Sequence, residues 1–387
     1  MKFYTRKKRL IKCTITLFTA ALISFGPLST AIEAKAAAIY TVTPESGVLL
    51  AGDGAEVFSD ADPATYISTL PVNTPVEVTG RTNNNFWQVT IDGQTRYISQ
   101  QALSTIPNST AYRLTSFDAA GALVVNPTTG KIIYAQGADA KLEPASTTKI
   151  MTALLVVEAI ESGQITLDTP VAVSETALAT IPSDASHLEQ RLQVGEVLNV
   201  EQLMSAMMVS SDCAACNVLA EAVAGSVSNF VNLMNQKAAQ LGCVKTNFTN
   251  PSGYPDENMY TNAASLYVIT ANAMQHPLFN QFFGLTEGSI PATNLCPVTR
   301  TFKNTDSLLD PATPYYNPSV IGGKTGTANR AGQCLVAVAA KEGKTVVSVI
   351  LGARNRTMFD GSKVSMRYYE TNRLLDLGFA NYYLFDL

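Results

Sequence analysis

Pro144-Ala145-Ser146-Thr147-Thr148-Lys149-Ile150-Met151-Thr152-Ala153-Leu154-Leu155-Val156-Val157-Glu158-Ala159-Ile160 is the stretch on which the reading of this chain turns. From Ile150 to Ile160 it is almost wholly apolar and it ends near Gly163. That predicts a helix buried on most of its surface. Ser146 falls in its first turn. Lys149, three residues on, shares the same face, so its amine can reach the serine hydroxyl. Burial in such a helix should lower the pKa of the amine and let it act as a neutral base toward a nucleophilic serine. The positive end of the helix favours an oxyanion beside the serine. Taken alone, Ser-x-x-Lys fits equally an N-cap serine followed by an ordinary lysine.

The rest of the chain narrows the chemistry. It has only two histidines, His187 and His276, and no Gly-x-Ser-x-Gly elbow. His276 precedes Pro277 in a predicted loop. A Ser-His-Asp hydrolase needs a firmly held imidazole, and a multi-histidine zinc site needs more of them. Lysine is the base this chain offers instead. Further along, Ile321-Gly322-Gly323-Lys324-Thr325-Gly326-Thr327 leads into a predicted strand pair, Leu335 to Ala340 and Thr345 to Leu351, turning at Glu342-Gly343-Lys344. Glycines there let a ligand backbone lie close to a strand edge. Lys324 adds positive charge and the hydroxyls suit a carboxylate. Between these segments, Ser211-Asp212-Cys213 precedes a helical run from Ala214 to Glu221.

The ordered trio Ser-x-x-Lys, a Ser-x-Asn variant and Lys-Thr-Gly is that of penicillin-binding proteins and class A β-lactamases. The flanks Ala145 to Ala153, Thr249-Asn250-Pro251-Ser252-Gly253, Lys303-Asn304-Thr305-Asp306 and Leu374-Leu375-Asp376-Leu377-Gly378-Phe379 resemble the serine D-Ala-D-Ala carboxypeptidases. The likeness covers nearly all of residues 117–387. It implies an α/β fold of the β-lactamase/transpeptidase-like kind, an antiparallel sheet flanked by helices. It also implies Ser146 as nucleophile, Lys149 as base, Ser211 as proton relay and Lys324 as its support. The N–H groups of Ser146 and Thr327 would form the oxyanion hole. Thr325, Gly326 and Thr327 would line the carboxylate site with Arg367, whose rivals are Arg354 and Arg356. Cys213 stands where the family usually has Asn, an amide that donates to substrate and helps hold the lysine; a thiol donates weakly. Ser210 as the motif serine would need an extra residue. The implied partners are the D-Ala-D-Ala end of the peptidoglycan stem peptide and the β-lactams that mimic it. No metal or organic cofactor is implied. A β-lactamase would carry its deacylating Glu after the second motif, whereas Glu189 to Gln193 lies before Ser211. A D,D-transpeptidase or endopeptidase shares the same acyl-enzyme, and a catalytically inactive wall-binding protein is the rival from another class.

Outside that region, residues 1–36 read as a secretory signal: a basic head of Lys2, Arg6, Lys7, Lys8, Arg9 and Lys12, an apolar run from about Thr14 to Leu28, then Ala34-Lys35-Ala36. A secreted, wall-associated protein is expected. Of 27 basic and 31 acidic residues, seven and one lie within 1–36, so residues 37–387 carry 20 against 30, a net of −10. That argues against nucleic acid as partner. Five cysteines remain after residue 36, so at least one thiol is unpaired within the chain. Cys213-Ala214-Ala215-Cys216 reads as one motif cysteine and one packing in the helix rather than a redox pair. Residues 37–104 read as an all-β module, with Asp92-Gly93 as a hairpin turn and the single Trp87. It resembles the bacterial SH3 domain of wall enzymes, which implies peptidoglycan binding; a spacer is the plainer alternative. Residues 105–116 read as a linker. The runs Ser174 to Arg191 and Gly284 to Asn294 are candidate rim loops of the active site. The C-terminal Tyr382-Tyr383-Leu384-Phe385-Asp386-Leu387 forms no basic amphipathic anchor.

Overall fold

The computed structural model describes residues 40–51, 55–70, 74–104, 117–357 and 363–382. The predicted signal, the linker and the last five residues lie outside them. Residues 42–104 form seven strands: β1 (Val42–Ala51), β2 (Glu56–Phe58), β3 (Tyr66–Thr69), β4 (Pro75–Thr82), β5 (Phe86–Ile91), β6 (Gln94–Ser99) and β7 (Leu103–Ser104). Their order in one sheet is β3-β2-β6-β5-β4-β1-β7. Asp92 and Gly93 join β5 to β6 with φ of 51° and 70°, the mirror-image turn whose twist suits a hairpin. Val76, Val78, Val89 and Ile98 fill a small core on one side. Phe58, Phe86 and Tyr97 make a second cluster.

From residue 117 on, near-continuous apolar runs in the central strands build a sheet that is buried on both faces. Its strands are β8 (Gly121–Asn126), β9 (Lys131–Gln136), β14 (Val320–Ala328), β15 (Gly332–Lys341) and β16 (Lys344–Ala353), with β10 (Pro170–Ala172) paired to β11 (Val197–Asn199) and β12 (Glu287–Ile290) paired to β13 (Arg300–Lys303) in two-stranded sheets between. The order is β14-β15-β16-β8-β9, antiparallel throughout. The first strands of this region therefore pair with the last, as the strand-helix-strand pattern predicts. Leu123, Val125, Val336, Val338, Val347 and Val349 face one core. Ala122, Val124, Leu335, Ala337, Val346 and Ile350 face another. That is the period of two expected of strands.

Helices cover both faces: α1 (Lys149–Glu161), α2 (Glu175–Ala179), α3 (Val200–Val209), α4 (Cys213–Ala224), α5 (Val227–Gln240), α6 (Ala263–Ala273) and α7 (Pro277–Phe283) on the first, α8 (Met366–Ala380) on the second. In α1 every residue from Lys149 to Val157 is buried, as its sequence predicts. Most helices open on a side-chain cap. Asn199 and Gln202 make a reciprocal capping box for α3, and Asp212, Ser226 and Asn262 cap α4, α5 and α6. α1 has no such cap. Among the described residues, no single helix is long and apolar enough to cross a membrane.

An ion pair with almost no solvent contact ties the β11 turn to β13. Glu196 is 0% and Arg300 2% exposed. Glu196 also accepts from Thr293 Oγ1 at 2.7 Å and from the Gln193 N–H at 3.1 Å. Removing one partner strands a buried charge. Arg300→Met is expected to lower stability by about 3–5 kcal/mol in denaturant unfolding of the full chain, and Glu196→Gln added to it should recover part of that loss.

Candidate active site

Ser146 sits in a 3₁₀ turn, Ala145–Thr148, that runs straight into α1. The turn is closed by the Thr147 hydroxyl, which donates to the Pro144 carbonyl at 2.7 Å. Ser146 is thus not used as a cap. Its Oγ lies 2.9 Å from Lys149 Nζ. Lys149 is 0% exposed; its Nζ also donates to the Ser252 carbonyl at 2.7 Å and lies 3.6 Å from Cys213 Sγ. The spacing of three thus sets two side chains in direct contact at the sheet side of a buried helix.

The second pair is built the same way. Lys324, also fully buried, extends from β14 to place Nζ 3.1 Å from Ser211 Oγ and 3.2 Å from the Thr325 carbonyl. Ser210 is turned back on its own helix, donating to the Ala206 carbonyl at 2.8 Å, so Ser211 is the serine of the pair. Asp212 does not face this pair. Its carboxylate accepts from the Ala215 N–H and the Leu188 N–H, each at 2.7 Å, which fixes the start of α4 and the 185–191 loop together. Burial pushes its carboxyl above the usual range.

Backbone strain gathers here. Ala145 has φ 46° and Ser211 φ 64°, left-handed values that non-glycine residues adopt at a cost. Both sit at the motif serines. Gly253, φ 76°, packs so tightly that a Cβ would stand 1.9 Å from the Ala145 carbonyl oxygen. At Gly326 a Cβ would come within 2.9 Å of the Ser146 nitrogen. β14 thereby approaches the serine as closely as its backbone allows, one residue before Thr327.

Thr327 is exposed in the cleft, and its hydroxyl accepts from Arg367 Nη1 at 2.8 Å; the same nitrogen donates to the Gly326 carbonyl at 3.1 Å. The structure thus brings Arg367, from α8, to the strand. Arg356 is paired with Asp118 instead, while Arg354 lines the cleft elsewhere. Thr325 is nearly buried, with its hydroxyl 2.6 Å from that of Thr305. The cleft has a volume of 640 Å³ and is lined by Ser146, Ala185, Cys213, Tyr254, Thr327 and Arg354, among others. Lys149, Ser211 and Lys324 lie buried next to it. Of the two runs expected at the rim, Asp184, Ala185 and Ser186 of the first line the cleft. The second does not: Glu287–Ile290 is taken up in pairing with β13, and Gly284 packs on the Ile321 carbonyl.

Burial brings the Lys324 amine down to about 7, with the neighbouring Lys149 charge adding to the effect. Asp306 is 0% exposed, and its carboxyl is pushed up to about 6 by burial. It accepts from the Leu308 N–H at 3.0 Å through Oδ1, while Oδ2 lies against the Cα of Gly323. Cys213, Cys216, Cys243, Cys296 and Cys334 are all buried free thiols. Cys216 packs in α4, its thiol donating to the Asp212 carbonyl at 3.2 Å and pushed far up by burial. Among the described residues, no group of three or more His, Cys, Asp or Glu side chains is placed to hold a metal. Sequence reasoning assigned no part to Ser252, Thr305 or Asp306. The Asn250-Pro251-Ser252-Gly253 string is a turn signal, but what this turn offers is a backbone carbonyl, which has no residue type of its own.

Residues 108–355 match the family described as D-alanyl-D-alanine carboxypeptidase. The D-alanyl-D-alanine carboxypeptidase DacF of Bacillus subtilis is 30% identical over 68% of this chain, which spans 63% of that relative's length, under two thirds of it. Among solved structures, a DD-transpeptidase from Streptomyces superposes with a TM-score of 0.58 at 28% identity, over 69% of this chain and 98% of the other. A penicillin-binding protein of Listeria monocytogenes in its cefotaxime-bound form gives 0.57 at 25% identity, over 68% and 98%.

The Lys324 value has a consequence for stability. Above about 7 the folded chain leaves this amine neutral, while the unfolded chain keeps it protonated up to 10.5. The unfolded state therefore binds more protons across that window, so stability rises with pH there. Lys324→Met should remove this rise. The difference in thermal midpoint between wild type and variant, followed from pH 7 to 10, is expected to shift steadily in favour of the wild type.

Proposed function

The chain belongs to the D-alanyl-D-alanine carboxypeptidase family, and on that premise we propose that it removes the terminal D-Ala from peptidoglycan stem pentapeptides through an acyl-enzyme on Ser146. The observation that carries this reading is the contact of Lys149 Nζ with Ser146 Oγ at 2.9 Å, beside a second Lys–Ser pair at 3.1 Å. Ser146 attacks the carbonyl of the penultimate D-Ala, and Lys149 takes its proton. Ser211, backed by Lys324, passes a proton to the leaving amine. The N–H groups of Ser146 and Thr327 hold the oxyanion. Thr327 and Arg367 bind the terminal carboxylate beside Gly326. Thr325 joins them if Thr305 donates to it, since a hydroxyl that accepts keeps its own proton to give. Water then releases the product. β-Lactams enter as mimics of D-Ala-D-Ala and stay on Ser146.

The same acyl-enzyme passes to an amine in a transpeptidase or endopeptidase. The basic-then-apolar residues 1–36 support export, and the substrate supports a place at the cell wall. The seven strands between Val42 and Ser104, with clustered Phe58, Phe86 and Tyr97, support an SH3-like module that holds the enzyme on peptidoglycan.

Fluorescent penicillin should label the full chain and fail to label Ser146→Ala. Free D-alanine should appear from diacetyl-L-Lys-D-Ala-D-Ala with the wild type alone. Labelling without D-alanine release would move the reading to a transpeptidase, to be checked with an added amine acceptor. No labelling of the folded wild type would sink the Ser146 mechanism. For the module, the full chain should co-sediment with purified cell walls, and a chain lacking residues 37–104 should remain in solution; equal sedimentation of both would leave that module a spacer.

A further inference from the structure

We propose that Asn250 is a positioning residue for the base: it holds the Ser252 carbonyl so that the Lys149 amine turns its lone pair toward Ser146. The inference rests on Lys149 acting as that base.

A neutral primary amine has two N–H bonds and one lone pair, and it takes the proton only if the lone pair faces the hydroxyl. Lys149 Nζ has three polar neighbours: Ser146 Oγ at 2.9 Å, the Ser252 carbonyl oxygen at 2.7 Å and Cys213 Sγ at 3.6 Å. A carbonyl oxygen can only accept, so one N–H is committed to Ser252. The Cys213 thiol directs its own proton to the Ser211 carbonyl at 3.9 Å. Its sulfur is then left as a weak acceptor for the second N–H. Both N–H bonds are thereby occupied, and what remains for Ser146 is the lone pair. After proton transfer the same three neighbours serve the ammonium without movement of heavy atoms.

This depends on the Ser252 carbonyl being rigid. Asn250 Oδ1 accepts from the Ser252 N–H at 3.2 Å, the Ser252 hydroxyl at 3.0 Å, the Gly253 N–H at 2.8 Å and the Tyr254 N–H at 3.1 Å. Its Nδ2 donates to the Tyr254 carbonyl at 3.0 Å. One side chain thus accepts from every backbone N–H of residues 252–254. The turn is in addition fastened to α1, the helix that carries the lysine, and to the 3₁₀ turn before it: Thr152 Oγ1 donates to the Pro251 carbonyl at 2.6 Å, and Gly253 lies against Ala145. Asn250 itself touches neither Lys149 nor Ser146 through any of these bonds.

The test separates binding from acylation by stopped-flow with a fluorescent penicillin on the full chain, with thermal midpoints measured alongside. Asn250→Ala should lower the acylation rate constant about tenfold to a hundredfold, the scale of a loosened catalytic geometry, with an unchanged Kd for the encounter complex. Asn250→Asp, which keeps the accepting oxygen, should recover most of the loss. Thr152→Val, which frees the Pro251 carbonyl but keeps its shape, should slow the same step to a lesser degree. A merely structural role would instead lower the fraction of active enzyme and leave the rate constant of the rest intact, which overturns the proposal. It is also overturned if the loss lies in Kd, or if folded Asn250→Asp acylates as slowly as Asn250→Ala. A wild type that is not acylated at all overturns the reading of the site itself, and this inference with it.

Discussion

Two lysines without solvent contact, Lys149 and Lys324, govern this structure. An ammonium taken out of water is unfavourable unless fixed dipoles replace its hydration, and two near one another disfavour each other's charge. The Lys324 amine, brought down to about 7 by burial and by Lys149, registers both effects. Every partner that makes the burial tolerable is a serine hydroxyl, a backbone carbonyl or a thiol, and the partners come from four separate segments of the chain. Helix α1 with the turn before it, the start of α4, the 250–254 turn and strand β14 must all be in place for both amines to be satisfied. The catalytic arrangement and the packing of the helical core are in this sense one problem.

The solution uses backbone that non-glycine residues adopt at a cost. Ala145 and Ser211 hold left-handed φ values directly at the two motif serines. The glycines at 253 and 326 let a carbonyl and a strand come closer than any Cβ permits. Such features persist only where the surroundings over-determine them. Here the surroundings are stiff: a helix buried from Lys149 to Val157 and a sheet packed on both faces.

Much of this is legible in the sequence. The apolar run after Ser146 announces a buried helix, and a spacing of three puts Lys149 beside the serine whatever the rest of the fold does. The apolar runs Leu335 to Ala340 and Thr345 to Leu351 about Glu342-Gly343-Lys344 announce a strand pair, and the strand-helix-strand order announces that the ends of the sheet meet. What escapes is what a side chain does not encode. The Ser252 carbonyl that holds Lys149 belongs to the backbone, and any residue could carry it. Asp306 under Gly323 is fixed by tertiary contact across nearly twenty positions of sequence. The choice of Arg367 over Arg354 and Arg356 depends on where α8 docks, which no local pattern states. That burial lowers the Lys324 amine is likewise set by what packs around β14.

The pairing of β8 with β16 sets Ala122 opposite Ile350. The middle of the sheet is therefore joined by segments from opposite ends of the region, and its closure is a contact of very long range. A chain interrupted just after Ala328 would contain all three motifs, Ser146 to Lys149, Ser211 to Cys213 and Lys324 to Gly326. It would nevertheless have no strand on either side of β14 and none to bridge it to β8. Such a chain exposes long apolar strand edges, which mark it for chaperones and proteases. Possession of the motifs and possession of the site are thus separated in time during synthesis, and a gene product shortened near its end loses the site while keeping all three motifs.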